Sequence, residues 1–132
     1  MFRIQVKNLQ RKWVDMEFLK KVGLQVLANN LISKDKEVSI AIVDIKKMTE
    51  LNKKFRGVNG PTDVLAFPLG GEFISTENLL GEVVISIDKA EEQARERGHS
   101  LKDELALLTI HGILHLFGYT DESCLLYTSD AA

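Results

Sequence analysis

EVVISIDKAEEQARERGHSLKDELALLTIHGILHLFG, residues 82–118, carries a strand and two helices in one unbroken run. Glu82–Ile87 is short, apolar and rich in β-branched residues, which predicts a strand. Asp88 opens a charged helix that runs to Arg97, and Gly98 is the residue type that ends helices in a left-handed turn. Ser100 starts the next helix as an N-cap, with Asp103 in the place that Glu usually takes in a capping box. Leu105, Leu108 and Leu114 carry this helix to about Phe117, where Gly118 stops it.

The same alternation continues upstream. Phe2, Ile4 and Val6 alternate with polar residues and predict a strand. From Asp15 to about Asn29, the apolar residues Met16, Leu19, Val22, Leu24, Val26 and Leu27 suit an amphipathic helix. Val38, Ile40 and Ile42 predict a second strand, and Asp44 caps a helix through about Phe55. Residues 56–63, RGVNGPTD, have loop chemistry. Val64–Phe67 is a short strand stopped by Pro68, and a loop follows to about Leu80. Strands and helices interleave with no repeat or linker, so the expected fold is α/β (α+β), one sheet packed with helices. Trp13 reads as a packing residue, and His99 as a capping or loop residue, with a place near the histidines that follow as the alternative.

Composition narrows the functional classes. The chain has 132 residues, 45% of them hydrophobic, which fits one globular domain able to bury its own core. Cys124 is its one cysteine, so no intramolecular disulfide forms, as suits a reducing cytosol. No apolar run approaches the roughly 20 residues that cross a bilayer, and the N-terminus lacks the pattern of a signal peptide. The expectation is a cytoplasmic protein with no membrane partner. A net charge of −2 hides an asymmetry: residues 1–60 carry 13 Lys/Arg against 6 Asp/Glu, and residues 61–132 carry 4 against 13. A basic half suits a phosphate backbone where it becomes a surface.

Two segments carry chemistry. In His111-Gly-Ile-Leu-His115-Leu-Phe-Gly118-Tyr-Thr-Asp121 the histidines lie four residues apart, on one helical face. Such imidazoles bind one metal in the helix of many zinc hydrolases. Two histidines on a helix are also often plain packed or solvated residues. Here Gly118 permits a left-handed turn that brings the chain back, from which Asp121 would supply a third ligand, and three ligands plus an open position describe a catalytic zinc site. Gly112 stands where zinc proteases carry their general base, which argues against peptide hydrolysis. The second segment is LNKKFRGVNGPTDVLAFP, residues 51–68. Its Arg56 can grip phosphate bidentately, and Lys53 and Lys54 add positive charge. The bland alternative is a helix C-terminus whose basic residues complement the dipole. Asp63 either orients Arg56 or satisfies the turn.

Together, LNKKFRGVNGPTDVLAFP, LGEVVISIDKAEEQARERGHS and HGILHLFGY resemble the YbeY family of rRNA maturation endoribonucleases. The resemblance covers about Leu51–Tyr119, in the family's order. It implies a small mixed sheet of about four strands with a zincin-like metal-binding helix. It also implies zinc-dependent, single-strand-specific cleavage of RNA, acting on 16S rRNA at its 3′ end and in ribosome quality control. The small ribosomal subunit would be the partner. His111 and His115 occupy metal positions of the family's histidine motif, and Arg56 the position of its important arginine. The family norm after Gly-Tyr is Asp-His, whereas here Thr120-Asp121 follows, so the third metal position holds Asp121. A carboxylate is a competent zinc ligand but makes the site less electrophilic.

The C-terminus departs further. The family continues into another helix, and this chain ends CLLYTSDAA, residues 124–132. The expectation is one truncated domain over residues 1–123 and a non-native tail over 124–132. The expected mechanism is metal-assisted phosphodiester cleavage, with Arg56 stabilising charge on the phosphorus centre. The competing functions are another zinc metallohydrolase and a non-catalytic ribosome-associated RNA-binding module.

Overall fold

Alternation along the strands decides how the molecule is layered. The computed structural model describes residues 3–29, 36–68 and 79–117. Within them the chain runs β1 (Arg3–Asn8), α1 (Met16–Asn29), β2 (Glu37–Val43), α2 (Ile45–Arg56), β3 (Val64–Pro68), β4 (Leu79–Ser86), α3 (Ile87–Arg97) and α4 (Leu101–Leu116). The four strands form one sheet in the order β1-β2-β4-β3. β1 and β4 lie parallel to β2, while β3 closes one edge antiparallel to β4. This is the expected mixed α/β sheet.

Val38, Ile40, Ile42, Val64, Ala66, Val83 and Ile85 share a core with residues of α1, α3 and α4, among them Leu27, Ile87, Leu108 and Ile113. The intervening residues Ala41, Val43, Leu65, Phe67 and Val84 form a second core with Met48 and Leu51 of α2. Successive strand residues point to opposite faces, so α4 and α2 cover opposite faces of the sheet. β2 is buried on both faces from Val38 to Val43. This accounts for its apolar run, since central parallel strands do not alternate with polar residues. Each fully buried Leu or Ile contributes about 1.5–3 kcal/mol over leaving it in water.

Helix starts follow side-chain acceptors, with one difference from expectation. Asp44 accepts the N–H of Lys47 at 2.8 Å, and Ser100 accepts that of Asp103 at 3.1 Å. At α3 the cap is Ser86 rather than Asp88: its Oγ accepts the N–H of Lys89 at 3.3 Å, and Ile87 is already helical. Asp88 instead accepts the N–H of Ile45 at 2.7 Å and so helps cap α2. A partner from another helix is invisible to local pattern. β4 likewise begins at Leu79, before the expected Glu82, because its pairing with β2 and β3 continues through Leu79 and Gly81.

Trp13 also departs from expectation, being 80% exposed. Val14 is buried in its place, and Lys12 ties this connection to α3 through an ion pair with Glu91 and a second, 3.8 Å contact with Asp88. The hydrogen bond to Glu91 raises the Lys12 pKa above the ordinary lysine value. Phe2, Gly118, Asp121 and the tail over 124–132 lie outside the described residues.

Candidate functional site

A glycine sets the distance between α4 and the sheet. A Cβ on Gly112 would lie 2.5 Å from Val83 Cγ1, 3.1 Å from Cγ2 and 3.3 Å from Cβ. Position 112 therefore has no room for any side chain while α4 keeps this spacing. That is the structural reason no glutamate follows His111: the place is taken by β4.

His111 and His115 stand on either side of this contact, one helical turn apart. His115 is buried, with 1% of its surface exposed, and His111 is partly buried. Histidines at this spacing have Cβ atoms about 5–6 Å apart, close enough for both rings to meet one ion. They occupy the last two turns of α4. The negative end of the helix dipole there is favourable to cations. The donor set fits zinc, which takes imidazole nitrogen readily and needs one or two further donors. Among the described residues no three His, Cys, Asp or Glu side chains gather into a metal group. Asp121 lies outside them.

The basic segment is built at the end of α2. Gly57 ends this helix at φ 70°, a conformation that L side chains rarely adopt. Its N–H reaches the carbonyl of Lys53 at 3.0 Å. Asn52 is buried beneath the turn: its Nδ2 donates to the Gly60 carbonyl at 2.7 Å, and its Oδ1 accepts from Arg56 Nη1 at 3.4 Å. One side chain thus holds both the loop and the guanidinium. Lys53 and Lys54 are exposed, and Arg56 is partly so. Asp63 is fully buried, and its Oδ1 accepts the Val64 N–H at 2.8 Å and the Thr62 hydroxyl at 3.4 Å.

The structure brings the two histidines together on one helix and places Arg56, Lys53 and Lys54 on the helix across the sheet. Both groups nevertheless belong to the same end of the sheet. On one side, Leu116 occupies the space that a side chain at Gly81 would need, and the Phe67 carbonyl borders that space. On the other side, the rings of Phe55 and Phe67 meet edge on, with centroids 5.0 Å apart. Gly81 and Glu82 pair with Pro68 and Phe67 across the strands. Edge strand β3 therefore separates the histidine helix from the basic loop.

His99 is the loop residue expected before α4 and does not join the histidine pair, which leaves out the alternative of a place near the metal. The helix rises about 15 Å between Leu101 and His111 at ~1.5 Å per residue. His99 Nε2 instead lies 2.6 Å from Glu104 Oε1, and Arg97 Nη1 lies 3.5 Å from Glu104 Oε2. The Glu104 side chain is fully buried, so this pairing braces the corner between α3 and α4. Sequence reading passed over Glu104; the available signal was a carboxylate on a face otherwise made of Leu105, Leu108 and Ile113. Glu82 is a second buried carboxylate that was missed, accepting from the Ser39 hydroxyl at 3.3 Å.

Comparisons with known proteins place the chain in one family. The family model described as Endoribonuclease YbeY matches residues 4–124. A protein named Endoribonuclease YbeY from Aquifex aeolicus is 47% identical over 116 residues, covering 88% of this chain and 70% of its own length. One of the same name from Carboxydothermus hydrogenoformans is 43% identical over 117 residues, covering 87% and 80%. The solution structure of TM1509 from Thermotoga maritima superposes with a TM-score of 0.60 at 33% identity, covering 90% of this chain and 75% of that one. The family-model match across nearly all of the chain, relatives at 43–47% identity and the shared fold place it in the YbeY endoribonuclease family, whose members are hydrolases acting on RNA.

Proposed function

We propose that the chain is a zinc-dependent endoribonuclease that cuts single-stranded RNA in the cytoplasm, acting in 16S rRNA 3′-end maturation and ribosome quality control at the small ribosomal subunit. The observation that carries this reading is the histidine pair on the last two turns of α4, in a chain of an endoribonuclease family. His111, His115 and Asp121 are the residues that would hold the zinc. When bound, the ion supplies a Lewis acid and lowers the pKa of water toward neutrality.

The remaining chemistry belongs to the basic loop. Lys53 and Lys54 attract the phosphate backbone as point charges, and Arg56 offers parallel N–H groups to one phosphate. Its hold on Asn52 limits the freedom the guanidinium must lose on binding. Charge growing on the phosphate during cleavage strengthens that contact, so Arg56 acts mainly on turnover. Gly112 leaves no carboxylate beside His111 to accept a proton.

The test is metal analysis of the purified full chain together with cleavage of single-stranded and duplex RNA, with and without chelator. The expected result is bound zinc and cutting of the single strand that stops on chelation. Bound metal with no cleavage would make the chain an RNA-binding module. Cleavage of a different ester, with RNA left intact, would make it another metallohydrolase.

A further inference from the structure

Phe55 stands out at the end of α2. The residue is 43% exposed although Met48 and Leu51, on the same helix, are fully buried. Val58, just past the turn, is 42% exposed as well. The ring is positioned rather than loose: it meets Phe67 edge on, with centroids 5.0 Å apart and planes at 66°. The Lys54 ammonium lies over one face of the ring, 5.1 Å from its centroid, so a stacked base would take the other face or displace the lysine toward a phosphate. Phe55 therefore sits between Lys54 and Arg56 in sequence, on a helix end whose turn is tied down through Asn52. A single exposed aromatic is ordinary on a protein surface. A braced, partly exposed ring on a helix end that also carries Lys53, Lys54 and Arg56 is the combination that recognises single-stranded nucleic acid, because phosphates take the charges and a base takes the ring.

We propose that Phe55 is a stacking platform for one unpaired nucleobase of the RNA, with Lys53, Lys54 and Arg56 engaging the phosphates on either side. This deepens, and rests on, the endoribonuclease reading above. A base in a duplex is stacked on its neighbours and paired, so only a single strand can offer its face to the ring. Preference for single strands then comes from Phe55, while the cations supply affinity for any phosphate backbone. Base identity matters little, because every base presents a π-face.

The test measures binding of fluorescein-labelled RNA to the full chain by anisotropy, with chelator present so that the strand stays intact. Phe55→Ala should weaken single-strand binding about 5- to 150-fold, the equivalent of ~1–3 kcal/mol for one stacked base. It should leave duplex binding and the salt slope as in the parent, because no phosphate contact is lost. Phe55→Trp should restore or tighten single-strand binding, which a merely folding-deficient site would not do. A strand with abasic positions should bind parent and Phe55→Ala alike. Unchanged single-strand affinity in Phe55→Ala would overturn the platform, as would an equal loss on duplex RNA or no preference for single strands in the parent. Failure of the platform leaves cleavage by the parent untouched. Failure of the endoribonuclease reading appears instead as a parent that prefers single strands yet never cuts them.

Discussion

Gly112→Ala sets a gain in helix propensity against a steric conflict with Val83. Alanine in a helix interior is favoured over glycine by about 0.8–1.0 kcal/mol, so an unobstructed site would be stabilised. Here the new methyl would meet Val83 Cγ1 at 2.5 Å and Cγ2 at 3.1 Å. Rotating the valine does not clear the space, since its Cβ is itself 3.3 Å away. Val83 is fully buried on β4, between β2 and β3, so neither side can retreat freely. Overpacking of this kind costs about 1–3 kcal/mol and, in so rigid a place, the upper part of that range is expected. Net of propensity, the variant should lose about 1–2 kcal/mol in urea unfolding. α4 should also lift from the sheet, weakening zinc binding through a displaced His115.

Val83→Ala provides the second arm. Alone it removes two buried methyl groups, costing roughly 0.8 kcal/mol each plus a term for the cavity. Combined with Gly112→Ala, the new methyl enters that cavity, so the double variant should be more stable than the two single losses predict, by about 1 kcal/mol or more. A Gly112→Ala protein as stable as the parent or more so, with strictly additive behaviour in the double variant, would refute the tight seat of α4 on β4.

Three further outcomes follow from the site. Arg56→Ala should lower kcat/KM for single-stranded RNA by about 3 kcal/mol while metal content stays at the parent level; near-normal turnover would remove the arginine from the chemistry. Asp121→Ala should weaken zinc binding by at least about 10- to 100-fold in competition with a chromophoric chelator, and Asp121→His should preserve or improve it; equal affinity of Asp121→Ala and the parent would exclude a third ligand here. Glu104→Gln should cost about 1–3 kcal/mol of stability in denaturant, because the buried partner of His99 and Arg97 loses its charge, yet leave zinc affinity unchanged from roughly 10 Å away along α4. A loss of zinc affinity as large as that of Asp121→Ala would tie this corner to the metal instead.

Local chemistry makes most of the elements legible in the sequence. Asp44 and Ser100 cap the helices they were expected to cap, and Gly57 and Gly98 end α2 and α3 in left-handed turns. Contacts between distant segments were harder to read. Asp88 has the right character for an N-cap, yet its carboxylate serves α2, because Ser86 reaches the α3 N–H groups first. Trp13 is apolar enough for a core, but Val14 turns inward and leaves the indole in water. At the site, the spacing of His111 and His115 announces a shared helical face, since one helix sets that geometry. Sequence order does not reveal that α2 and α4 lie on opposite faces of the sheet, nor that Gly112 is fixed by Val83. Both depend on which strands become neighbours.

Zinc-dependent rescue of RNA cleavage puts the histidine pair to its most direct test. The full chain is stripped with chelator, zinc is returned in graded amounts, and cutting of an end-labelled single strand is followed beside a His111→Ala/His115→Ala variant whose fold is checked by circular dichroism. The parent should fall silent on stripping and recover in proportion to the zinc it binds, while the folded double variant should neither bind zinc tightly nor cut at any zinc level. Undiminished cleavage by the stripped parent, or by the variant, would contradict a metal-dependent endoribonuclease built on His111 and His115.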